Sequence, residues 1–166
     1  MPTVMRPTTH SHPSSVQEKR PAITRRNFAQ STTIGLGFIL VLMSLCGLLY
    51  PSFAGLHLSA MHATSLGLCG ILAFWAGLHN DLRKNFIVDM SLGLFFFFHA
   101  LAGFLLGAPG RPGVGFEAMD PMLVKIMPGF NELGRNDHIF HSLLTIGFFL
   151  AARFLWKHYR SLLRRT

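Results

Sequence analysis

The sequence predicts an all-α fold, a polytopic membrane four-helix bundle built from two parallel two-helix repeats. Three observations predict it. The 166 residues are 50% hydrophobic and only 13% charged, about half the charge of an ordinary soluble domain. The apolar residues fall in four blocks, 28–50, 57–79, 86–107 and 138–157. Each is close to the ~20 residues that carry an α-helix across ~30 Å of hydrocarbon. The first block also resembles the third: IGLGFILVLMSLCGLL (Ile34–Leu49) and MSLGLFFFFHALAGFL (Met90–Leu105) place Gly37 and Gly47 in step with Gly93 and Gly103. Backbone groups in lipid must pair within their own segment, so these blocks are helices. The period-2 alternation of a membrane barrel strand is absent.

Residues 1–27 are rich in Pro, Thr, Ser, His and Arg without apolar periodicity, and are expected to form a disordered basic tail. They run into TRRNFAQ (Thr24–Gln30), which has the look of a twin-arginine signal. The apolar run that follows exceeds the roughly 7–15 residues of a signal core. It is also half of a repeat, so it is read as a retained span, 28–50. Spans two and four, 57–79 and 138–157, both open on histidine, in HLSAMHATSLG and HIFHSLLTIG. Span three, 86–107, carries Asp89 about one turn inside its first end, and Arg153 lies at similar depth in span four. A charge in a span needs a partner, so Asp89 and Arg153 are expected to form a structural ion pair. Gly103 and Gly107, and Ala63 and Gly67, make small-xxx-small steps that suit close helix packing. Cys46 and Cys69 fall within spans and read as small apolar residues.

In the loop 108–137, APGRPGVG is expected to be irregular. MDPMLVKIM is expected to form a short surface helix, with Asp120 as N-cap, Pro121 at N1, and Met122, Leu123, Ile126 and Met127 as an apolar stripe. The bundle then occupies 28–158, and 159–166 is a second basic tail.

Charge sets the orientation. Arg6, Lys19, Arg20, Arg25 and Arg26 precede the first span, Arg83 and Lys84 sit in the second loop, and Arg153, Lys157, Arg160, Arg164 and Arg165 close the chain. All fall on one side, and the positive-inside rule makes that side cytoplasmic for both termini. The net charge of +8 is therefore mainly a topology signal. Nothing arranges it as a nucleic-acid-binding face. The expected partners are the lipid bilayer and either a second copy of the chain or a larger membrane complex.

Helix geometry at about 1.5 Å per residue puts His57 and His138 at the outer mouth, with His141 about 5 Å, His62 about 8 Å and His99 about 12 Å deeper than their helix ends. Three readings stand open. In the first, His62, His99 and His141 are neutral and hydrogen-bond between helices, with no cofactor. In the second, two of these three imidazoles hold a b-type haem for electron transfer. In the third, His138 and His141, at i and i+3, bind a divalent metal at the outer mouth, with Asp137, Glu132 or His57 completing the shell. Asp137 also suits the N-terminus of the last helix. No nucleophile elbow, P-loop or dinucleotide fingerprint is present, which points away from an enzyme.

The motifs GLGFILVLMSLCGLLYP, LHLSAMHATSLG and NDHIFHSLLTIG resemble a bacterial family of small four-helix membrane proteins of unknown function. In that family the second and fourth helices begin with a polar step and a histidine. His62 and His141 match those histidines. The following residues, Ala63 and Ser142, depart from the family's Leu, and the glycines are displaced to Gly67 and Gly147. The resemblance covers Arg26–Lys157. It implies the fold, the topology and a location in the bacterial inner membrane, but no activity. The function expected is that of a non-enzymatic accessory membrane protein, with haem-based electron transfer and metal binding as alternatives.

Overall fold

The computed structural model describes residues 28–79 and 81–163. The basic tail, the twin-arginine-like pair and Arg164–Arg165 lie outside the described residues. Four helices dominate: α1 (Phe28–Leu49), α2 (Ala60–Leu78), α3 (Leu82–Leu106) and α4 (Arg135–Leu163). All four are long and apolar enough to cross a membrane. Local chemistry sets their starts. Ser59 caps α2, its hydroxyl accepting from the His62 amide at 3.4 Å. Asp81 caps α3 by accepting from the amides of Arg83 and Lys84, both at 3.1 Å. Both helices therefore begin a few residues away from the edges of the apolar blocks.

The helices pack chiefly as two hairpins, α1 on α2 and α3 on α4, with α1 also touching α4 and α2 touching α3. Glycine permits the closest approaches. A Cβ on Gly37 would sit 2.6 Å from the Phe74 amide nitrogen and 2.8 Å from the Gly70 carbonyl oxygen. A Cβ on Gly103 would overlap the His138 ring. Lipid tails are as apolar as leucine, so such packing contacts hold the helices together instead of a hydrophobic force between them. Within the second hairpin Phe96 stacks on Phe148, ring centroids 5.9 Å apart and planes 9° apart, in a core cluster that Leu40 and Leu66 of the first hairpin share with Leu92 and Leu144. Leu45, Leu68, Phe98 and Leu143 face outward on the four helices, as lipid-facing residues do.

The loop after α3 is where the fold departs from all-α. It forms a three-stranded antiparallel sheet in the order β1 (Ala108–Gly110), β2 (Asp120–Met127), β3 (Asn131–Leu133). The segment expected as a surface helix is thus the central strand. Pro121 is tolerated in this central strand because it falls in the irregular register between Asp120 and Leu123, where the ladder to β1 is interrupted. The β2–β3 turn carries the decisive residues: Pro128 and Gly129 follow Met127, Gly129 has φ +77°, and the Phe130 amide donates to the Met127 carbonyl at 2.9 Å. Pro then Gly with positive φ is a type II turn signature. The sheet touches α2, α3 and α4 at one end of the bundle.

Candidate functional site

Beneath the sheet the bundle holds a dense set of buried polar groups. Three acids make the upper layer. Asp137, fully buried in the first turn of α4, accepts from the Gly134 amide at 2.7 Å and from the His57 amide at 3.1 Å. Asp120, at the start of β2, accepts from the amides of Met122 at 2.8 Å and Arg135 at 3.1 Å. Glu132, in β3, accepts from the Gly129 amide at 2.9 Å and from the Gly113 amide, and its carboxylate lies 3.6 Å from Lys125 Nζ. Burial alone would raise the Glu132 pKa. Its backbone hydrogen bonds and Lys125 outweigh that and hold it below the ordinary carboxyl value. The Ser59 hydroxyl donates to the Phe130 carbonyl and ties the start of α2 to the hairpin turn.

His57 stands between two of these acids, its Nδ1 3.3 Å from Asp137 and 3.8 Å from Asp120. Burial pulls its pKa down, but the hydrogen bond and charge of Asp137, helped by Asp120 and Glu132, leave it above the ordinary imidazole value. Gly134 makes room for the arrangement, because a Cβ there would overlap His57 and Asp120. A surface cavity of about 560 Å³, lined by His57, Glu117, Asp120 and Arg135 among others, opens onto this layer.

One layer deeper lie the histidines singled out from the sequence. His62 and His141 are buried with their Nε2 atoms 3.4 Å apart. His99 is half-buried, its ring centroid 5.7 Å from that of His141. All three line one cavity of about 30 Å³ with Asn131 and Leu133 of β3. Depth counting along the helices thus named residues that the fold brings together. His138 turns elsewhere: its Nε2–H donates to the Met122 carbonyl at 2.9 Å and fastens α4 to β2. Asp137 is engaged with backbone amides. The metal set His138, His141 and Asp137 is therefore split among different partners. Among the described residues no three His, Cys, Asp or Glu side chains are grouped to hold a metal ion.

At the opposite end, Asp89 is fully buried and lies 2.9 Å from the Thr33 hydroxyl. Arg153 is exposed and makes no ion pair with Asp89. The expected pair is replaced by a contact between α3 and α1, because Asp89 faces the bundle interior and Arg153 faces away from it. Gln30 and Asn85 both donate to the His79 carbonyl, at 3.2 and 3.0 Å, and hold the end of α2. Thr33 and Gln30 carried no sequence signal beyond being polar residues in an apolar run. Glu132 had one, the hairpin turn beside it.

Comparison with family models, with curated proteins and with solved structures gives no match for this chain.

Proposed function

We propose that the chain is a multi-pass integral membrane protein acting as a non-enzymatic accessory or structural subunit, packing with a second copy of itself or with a larger membrane complex. The observation that carries this is how the acids at the sheet end are used. Asp120, Glu132 and Asp137 each accept from two or more backbone amides, so they clamp the sheet and loops onto the helices. Acids committed to the backbone in this way serve architecture. In this reading both termini face the cytoplasm of a bacterial cell, the sheet faces outward, and the two hairpins are copies of one unit.

The haem alternative would need His62 and His141 to admit a macrocycle between them. Nε2 atoms 3.4 Å apart and a neighbouring cavity of about 30 Å³ favour the reading without haem. The test is the protein purified in detergent from haem-replete cells, with its oxidised and dithionite-reduced spectra and its native mass in lipid nanodiscs. The expected result is a colourless protein that runs as a self-assembly or with a stoichiometric partner. A reduced Soret and α band lost in His62→Ala or His141→Ala would overturn the accessory reading in favour of electron transfer.

A further inference from the structure

We propose that His62 and His141, with the cavity they share with His99, form a binding site for a single divalent transition-metal ion of the zinc type. The argument starts with the ring nitrogens. His62 Nδ1 lies 2.8 Å from the His57 carbonyl oxygen, and His99 Nδ1 lies 2.9 Å from the Phe95 carbonyl oxygen. A carbonyl can only accept, so in both rings Nδ1 carries the hydrogen and Nε2 presents its lone pair. This is the neutral imidazole form that binds metals, with the far nitrogen held by the backbone as metal-ligating histidines are held. His141 Nδ1 is buried without a hydrogen-bond partner among the described residues, so in the empty site its hydrogen sits on Nε2, shared with His62 Nε2 across 3.4 Å, and it moves to Nδ1 when an ion takes its place.

The spacing fits an ion better than a direct contact. Two imidazole nitrogens on one tetrahedral zinc, each about 2.0–2.1 Å from it, stand roughly 3.3–3.4 Å apart. His62 and His141 Nε2 are 3.4 Å apart, beyond the ordinary hydrogen-bond range of about 2.7–3.2 Å. The surroundings supply the rest. Asp137 Oδ1 lies 3.9 Å from His62 Nδ1, close enough for its charge to offset a dication through the ring. The cavity of about 30 Å³ bordered by His99 and Asn131 leaves room for a water on the ion. Two imidazoles come ready placed, and the remaining positions fall to water in the cavity beside them. Imidazole ligands with water suit zinc, copper or nickel and disfavour calcium and magnesium.

The test uses the full chain, purified in detergent with a tag free of histidine, stripped with a chelator and titrated with Co²⁺ as a coloured stand-in for Zn²⁺. The expected result is one ion per chain, visible absorption bands of low-coordinate cobalt, and their loss when Zn²⁺ competes. His62→Gln and His141→Gln should each weaken binding by on the order of 100-fold, while His79→Gln, at the opposite end, should leave it unchanged. Absence of binding to the wild-type chain at a large excess of Co²⁺ or Zn²⁺ would overturn the proposal. Binding that survives in both His62→Gln and His141→Gln would overturn it as well, by moving the ion elsewhere.

Discussion

Replacing Gly37 by alanine tests the packing of the α1–α2 hairpin, and Gly35 two residues earlier supplies the control. A Cβ at Gly37 would meet the Phe74 nitrogen at 2.6 Å and the Gly70 oxygen at 2.8 Å. Both are backbone atoms, so no side chain can swing aside and the helices themselves must part by about 1 Å. A gap of that size forfeits roughly a quarter to a half of each van der Waals well across the interface, and overpacking of this kind typically costs about 1–3 kcal/mol. The better helix propensity of alanine, up to about 1 kcal/mol, offsets little of this, because membrane helices stay helical when they separate. Gly35→Ala meets nothing within 4 Å and should be neutral or slightly stabilising. Unfolding in mixed micelles by added SDS reads both. Gly37→Ala should shift the midpoint down by an amount equivalent to about 1–3 kcal/mol, and Gly35→Ala should not. Equal midpoints for the two variants would mean that the backbone contact at Gly37 does not hold the α1–α2 hairpin together.

Three further expectations concern the polar groups. Asp137→Asn removes the charge that several donors share, and losing charge-assisted bonds in a buried setting should cost about 1.5–3 kcal/mol, read as faster proteolysis of the loop 108–134. Thr33→Val removes the hydroxyl beside the buried Asp89 and should cost about 1–3 kcal/mol in the same micelle assay, with Thr33→Ser close to wild type. Glu132 has a lowered pKa when folded, so its contribution is present above its unfolded value near 4.5 and is lost as pH falls through the lower folded value. Protection of the Gly113 and Gly129 amides from hydrogen exchange should therefore hold at neutral pH and drop only below about 4.5. In Glu132→Gln it should be weaker and flat with pH across that range.

The helices were legible because membrane spans must be long, apolar and internally hydrogen-bonded. Their ends were less so: α2 begins at Ala60 because Ser59 caps it, and α3 begins at Leu82 because Asp81 does. A short cap outweighs the edge of an apolar block. The sheet was misread because Met122, Leu123, Ile126 and Met127 also lie at helical spacing, while a strand depends on partners such as Ala108 and Leu133 that local periodicity cannot see. The Pro128–Gly129 turn was the available clue. At the site, depth counting put His62, His99 and His141 within about 5–12 Å of their outer helix ends, and one cavity joins them. It could not reveal that His138 turns to Met122 or that Asp89 faces Thr33, since helix rotation decides both and the sequence period leaves rotation loosely set.

The proposed topology has four crossings, with the sheet and the histidines on the non-cytoplasmic side. Labelling of single cysteines by a membrane-impermeant maleimide in intact spheroplasts tests it most directly, in a background where Cys46 and Cys69 are replaced by alanine. Val114, 89% exposed in the loop before β2, and Arg83, exposed at the start of α3, are the two positions. Val114→Cys should be labelled in intact spheroplasts, and Arg83→Cys only after the membrane is permeabilised. The reverse pattern, or labelling of both before permeabilisation, would contradict that topology.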